Sequence, residues 1–212
     1  MKTSAHSEIE YKWSADHISP EAFGLWCQRQ SPVSYSRTSC PDVYYSQGDN
    51  IVRHRWSGGA GELTCKQRKS SRHITDRFEV DLTFPESLTT TDITEFLRLS
   101  GWKRFFTLFK DRCDVFMFEN DRIGTCVALY GVEKLNEKTR RCEGLRYFLE
   151  VEIVKGSNFS DEDARLLLEE WRTRLEVAFN LGTPLTLSLL EIYSDRRYKV
   201  AKKPRFLKKA RG

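Results

Sequence analysis

Glu8-Ile9-Glu10-Tyr11-Lys12-Trp13 alternates ionised and apolar side chains without a break. Successive side chains of a β-strand point to opposite faces, so Glu8, Glu10 and Lys12 share one face and Ile9, Tyr11 and Trp13 the other. The same grammar returns along the chain. Arg53 and Arg55 alternate with Val52, His54 and Trp56; Lys66 and Arg68 stand together against Cys65 and Gln67. Arg77, Glu79 and Asp81 alternate with Phe78, Val80 and Leu82, Lys110 and Arg112 share a face, and Glu150 and Glu152 alternate with Leu149, Val151 and Ile153. Any one of these segments is what an antiparallel sheet with one solvated face looks like. Taken together, the polar faces are almost wholly ionised and sorted by sign, acid pairs on the first and last strands and basic pairs between them. A sheet curled with those faces inward has one carboxylate wall and others of guanidinium and ammonium. Such an interior repels itself and loses hydration unless ligands neutralise it. Hard Mg²⁺ or Mn²⁺ suits carboxylate oxygens and bridges them to phosphates, and arginine forks suit phosphate oxygens. The pattern points to a polyphosphate held with a divalent metal.

Three helices interrupt the strands. Ser19-Pro20-Glu21 supplies an N-cap and a proline for the first helical position, followed by Phe23, Leu25 and Trp26 as an apolar stripe. Thr91 to Leu99 forms a second, short helix closed by Gly101. The third is capped by Ser160, carries Asp161, Glu162 and Asp163 at its positive end, and repeats Leu166, Leu167, Trp171, Leu175 and Phe179 at helical spacing until Gly182. Gly58-Gly59-Ala60-Gly61 reads as a hairpin loop and Asn120-Asp121 as another turn. Trp13, Trp56 and Tyr11 are expected outside the curled sheet, against helices. His54 and His73 have no partner pattern and read as packing or surface residues.

The chain of 212 residues suits one compact domain with appendages. Its net charge of +5 hides a division: nine cations and no acid lie between Arg196 and Gly212, so residues 1–195 are net negative. Two segments are therefore expected, a domain over 1–195 and a flexible basic tail over 196–212. Six cysteines show no CxxC pair or metal-ligand spacing, which fits reduced thiols and a cytoplasmic setting. No secretory or membrane-spanning stretch is evident, so the Asn158-Phe159-Ser160 sequon reads as a chance match.

The charged strands resemble those of the CYTH, or triphosphate tunnel metalloenzyme, superfamily. Glu8-Ile9-Glu10-Tyr11-Lys12 is similar to its opening ExExK signature. Asp42-Val43-Tyr44-Tyr45 resembles its second strand, Val52-Arg53-His54-Arg55 its LRxR strand, and Leu63-Thr64-Cys65-Lys66 the lysine strand that follows. Arg77-Phe78-Glu79 resembles its R-x-E element, Lys110-Asp111-Arg112 its K-x-R element, and Phe148-Leu149-Glu150-Val151-Glu152 its closing ExE strand. The resemblance covers residues 7 to 155 and keeps the family's order. It implies a mainly β, α+β fold: a closed eight-stranded antiparallel tunnel with peripheral helices. It also implies that Glu8, Glu10, Glu150 and Glu152 hold one or two Mg²⁺ or Mn²⁺ ions. Lys12, Arg53, Arg55, Lys66, Arg77, Lys110 and Arg112 would grip phosphates, and Glu79 would fix the arginines or assist at a metal. Two departures stand out: Tyr130 occupies the seventh strand where the family usually has an aspartate, and the link from Lys12 to Asp42 is long.

The implied activity is hydrolysis of a triphosphate: inorganic tripolyphosphate, a nucleoside or thiamine triphosphate, or the 5′-triphosphate of RNA. Lys12, Glu10 and Glu152 are the catalytic candidates, the lysine for the leaving oxygen and a glutamate for the water. A class IV adenylyl cyclase is an alternative, although Ser7 follows His6 where cyclases often carry an aromatic residue. A non-catalytic nucleotide or polyphosphate binder is another. The basic tail reads either as a contact to an RNA backbone or as a solvated terminus.

Overall fold

The computed structural model describes residues 2–57, 59–68, 75–85, 87–120, 123–136, 138–155 and 160–194. His73, Asn158 and the basic tail lie outside the described residues. Eight strands form in chain order: β1 (Lys2–Ser14), β2 (Ser34–Gln47), β3 (Asn50–Ser57), β4 (Ala60–Arg68), β5 (Thr75–Phe84), β6 (Lys103–Asn120), β7 (Ile123–Asn136) and β8 (Arg141–Lys155). They close into one antiparallel barrel in the order β1-β5-β4-β3-β2-β6-β7-β8. The expected tunnel is the observed fold. Closure is made by β1, which pairs with β8 through Glu10 opposite Glu152 and Lys12 opposite Glu150, and with β5 through Glu8 opposite Arg77. The strands flanking both expected turns pair, while Gly58 and Asp121 lie outside the described residues. Ser57 faces Ala60 across the first, where Gly59 takes a φ of 84° that glycine adopts freely, and Asn120 faces Ile123 across the second.

The helices follow their caps. α1 (Pro20–Arg29) starts with the Ser19 hydroxyl accepting from the Ala22 amide. It buries Phe23 and Cys27, whereas Leu25 is exposed, because two residues along a helix turns a side chain to the opposite face. α2 (Thr90–Leu99) is held by a capping box between Thr89 and Asp92 and starts one residue earlier than expected. α3 (Asp161–Phe179) has the expected Ser160 cap, but stops at Asn180 in the left-handed region, two residues before Gly182. Its buried stripe is Ala164, Leu168, Trp171 and Leu175; Leu166 faces solvent and Leu167 and Phe179 flank the stripe. A further short helix, α4 (Leu189–Tyr193), capped by Ser188 and Glu191, was not evident from the sequence.

Three apolar clusters hold the barrel. Ile9, Tyr11 and Trp13 meet Leu149, Val151 and Ile153 on the outer wall beneath α1 and α3, and Tyr11 donates a hydrogen bond to Glu169 of α3. α2 covers another stretch of wall, where Ile93 and Leu97 pack on Val52 and Leu63 beside Trp56. Trp13, Tyr11 and Trp56 therefore lie where the sequence placed them. The third cluster is internal: Tyr44, Phe106, Tyr130 and Phe148 receive Leu189 and Leu190, so α4 closes one end of the bore. No helix among the described residues is long and apolar enough to cross a membrane, and all six cysteines are free.

Candidate active site

The β1–β8 seam puts two acidic strands side by side with their charged faces inward. Carboxylate oxygens of Glu8, Glu10 and Glu152 lie within 4.8 Å of one another. Burial, then the carboxylates of Glu8 and Glu150, pushes the Glu152 carboxyl well above its ordinary range. Three hard oxygen donors under like-charge repulsion are a donor set that a divalent Mg²⁺ or Mn²⁺ would relieve, so the residues present fit such an ion.

Glu150 lies outside that trio. Burial alone would raise it, but the Lys12 and Lys110 ammonium groups and the Tyr130 hydroxyl hold it well below the usual carboxylate range. Lys12 Nζ stands 3.1 Å from Glu10 Oε1 and 3.2 Å from Glu150 Oε2, a bridge between neighbouring strands.

The facing walls carry the other cations. Arg55 grips Asp42 with two parallel bonds, Nε to Oδ1 at 2.6 Å and Nη2 to Oδ2 at 2.7 Å. Burial would raise Asp42, yet Arg55 and Arg53 keep its carboxyl far below the ordinary range. Arg53 Nη2 reaches Glu62 at 3.0 Å and the Thr64 hydroxyl at 2.8 Å. Lys66 joins Glu8 at 3.0 Å and Glu79. Lys110 Nζ sits 4.1 Å above the centre of the Tyr130 ring. These side chains fill much of the bore, leaving a cavity of about 40 Å³ lined by Glu10, Lys12, Asp42, Arg53, Lys66 and Lys110. Space of that size suits a water or an ion rather than a triphosphate. Lys12, Arg53 and Lys66, which line it, and Arg55 are each already bonded to a protein carboxylate.

Of the residues selected from sequence, Glu8, Glu10, Lys12, Arg53, Arg55, Lys66, Lys110, Glu150 and Glu152 converge on the bore. Arg77 is placed by its backbone, opposite Glu8. Arg112 is not brought into the group. A bulge between Asp111 and Asp114 breaks the alternation, Arg112 takes a φ of 45°, and its side chain bonds Glu21 of α1 at 2.8 Å and Asp114 at 3.4 Å. The bore also holds Asp42 and Glu62, which the sequence reading did not select. Glu62 alternates with Thr64 and Lys66, a signal that was available; Asp42 stands two residues before Tyr44 in a strand already matched.

The fold and site together define a closed tunnel with an acidic seam facing basic walls. Comparison with family models and with curated proteins gives no match. Solved structures do share the fold. A conserved hypothetical protein from Pyrococcus furiosus superposes with a TM-score of 0.57 at 19% identity, over 87% of this chain and 98% of that one. A protein from Pyrococcus horikoshii gives 0.58 at 15% identity over 87% and 98%. A chain of the Schizosaccharomyces pombe Mediator head module gives 0.54 at 12% identity over 84% and 100%. At these identities the likeness is one of fold, and that fold is the tunnel implied by the CYTH resemblance.

Proposed function

We propose that the chain is a divalent-metal-dependent hydrolase of a triphosphate substrate. The observation that carries this reading is the Glu8, Glu10 and Glu152 trio facing Lys12, Arg53, Arg55, Lys66 and Lys110 within one bore. Arg77 stays in the phosphate-binding set through its position opposite Glu8. The trio would hold Mg²⁺ or Mn²⁺, which would supply positive charge to offset that of the phosphate. Phosphoryl transfer needs charge neutralisation, an in-line water and a stabilised leaving oxygen. The arginines and lysines neutralise the non-bridging oxygens, and Lys12 Nζ, fixed between Glu10 and Glu150, supplies a proton or charge to the leaving oxygen. A carboxylate oxygen of Glu10 or Glu152 orients the water and accepts its proton. The domain occupies residues 1–195, and the basic tail adds an RNA contact if the substrate is an RNA end.

Phosphate release is measured from tripolyphosphate, ATP, thiamine triphosphate and 5′-triphosphate RNA, with Mg²⁺, Mn²⁺ or EDTA. Metal-dependent release from one of them is expected, and Glu10→Gln should abolish it while the protein stays folded. Full turnover by that variant sinks the assignment. The small bore, with its cations bonded to internal acids, favours a second reading, a binder that sequesters a polyphosphate. Tight binding with no release supports that reading, and cyclic AMP formation from ATP would support a cyclase instead.

A further inference from the structure

Glu150 and Glu152 are two residues apart on the inward face of β8, yet the structure treats them differently. Glu152 joins Glu8 and Glu10. Glu150 has other partners: the Tyr130 hydroxyl donates to its Oε2, and Lys12 Nζ lies 3.2 Å from the same oxygen. Tyr130 is held firmly for this task. Its ring is buried, stacks on Phe148 with centroids 6.1 Å apart, and has Lys110 Nζ 4.1 Å from its centre. Ammonium contacts are shared by the trio, since Lys12 also faces Glu10 and Lys66 faces Glu8; what sets Glu150 apart is the O–H bond its Oε2 accepts from Tyr130, which takes up a lone pair that a metal ligand must offer.

We propose that Tyr130 is a positioning residue that reserves Glu150 for Lys12, so that the tunnel takes up a single divalent ion on Glu8, Glu10 and Glu152. This deepens the metal-dependent reading above and rests on it. Tyr130 and Glu150 together aim the Lys12 ammonium across the strands, and the trio alone would hold the ion.

Mn²⁺ binding to the full chain without substrate is followed by the electron paramagnetic resonance of the free ion and by calorimetry. One ion per chain is expected. Glu152→Gln should weaken binding by ~100-fold or more, while Glu150→Gln should weaken it by less than ~10-fold, below the range seen even for lost outer partners of a ligand. Tyr130→Asp, which sets a carboxylate beside Glu150, should take up a second ion. Two ions on the wild type, equal losses from the two glutamine variants, or a folded Tyr130→Asp protein that still takes one ion each overturn the proposal. If Tyr130→Asp does not fold, the two glutamine variants decide. A wild-type chain that binds no Mn²⁺ removes the metal-dependent reading itself and this inference with it.

Discussion

Asp42 and Arg55 form a two-bond pair in the bore, and replacing Asp42 by Asn removes its charge while keeping its shape. The aspartate side chain is 1% exposed and the arginine 24%. Asp42→Asn leaves Arg55 beside Arg53 with its fork half satisfied, and Arg53 already opposes the Arg55 charge. Removing one partner of a buried pair costs ~3–5 kcal/mol. Water reaches part of Arg55, so the low end applies, about 3 kcal/mol. For a domain of this size each kcal/mol lowers Tm by ~2–4 °C, so thermal unfolding should shift down by roughly 6–12 °C. The released guanidinium should also bind phosphate oxygens without first giving up a carboxylate. Metal-free tripolyphosphate should therefore raise the Tm of the variant more than that of the wild type. A loss below about 1 kcal/mol, the value of an exposed pair, would refute the claim that this wall is shielded from water. A full loss with no added response to tripolyphosphate would refute the exchange of carboxylate for phosphate.

Other perturbations probe the wall and its helices. Burial depresses the His54 imidazole in the fold, so below about pH 6.5 the unfolded chain takes up more protons and stability should fall with pH; His54→Leu should flatten the urea-unfolding profile between pH 5 and 8, and an unchanged slope would clear His54 of the effect. A Cβ on Gly61 would lie 2.7 Å from Ile93 Cδ1 and 2.9 Å from two Trp56 ring carbons, so Gly61→Ala should cost about 1–3 kcal/mol in denaturant unfolding; a neutral result would mean that α2 shifts freely on the wall. Ser160→Ala removes the acceptor for the Asp163 amide and should cost about 1 kcal/mol, with a neutral melt showing that the cap is replaced by water.

The strict period of two made the charged faces legible, since Glu8, Glu10 and Lys12 must share one; closure into an eight-stranded tunnel was implied by the CYTH resemblance. The helix caps were equally legible, since Ser19 and Ser160 each act on an amide three residues away. Arg112 was misplaced because a bulge is a backbone irregularity that leaves no fixed mark in composition. Leu25 and Leu166 were given buried roles on apolar character, while smaller Cys27 and Ala164 lie on the faces that pack. α4 escaped notice because five residues make too short a periodic signal, and its burial depends on an aromatic collar assembled from β2, β6, β7 and β8. Tyr130 was legible as a departure from acid, but its hydrogen bond to Glu150 depends on the register of β7 against β8, which sets Tyr130 opposite Phe148 and Ala128 opposite Glu150.

Closure of the barrel by β1 has a kinetic consequence. Glu8 pairs with Val154 and Lys12 with Glu150, so the seam joins segments separated by most of the folded chain. Contacts so distant in sequence form slowly, and during synthesis β1 must wait until β8 has been made. Until then both strands expose unpaired amides and carbonyls along an inward row of acids, and the like charges discourage pairing with another chain. The trio of glutamates is divided between these same two strands, so it comes into being only when the ring closes. Assembly of the site and the last step of folding are then one event, and an ion that binds there would act as a latch on the newly completed barrel.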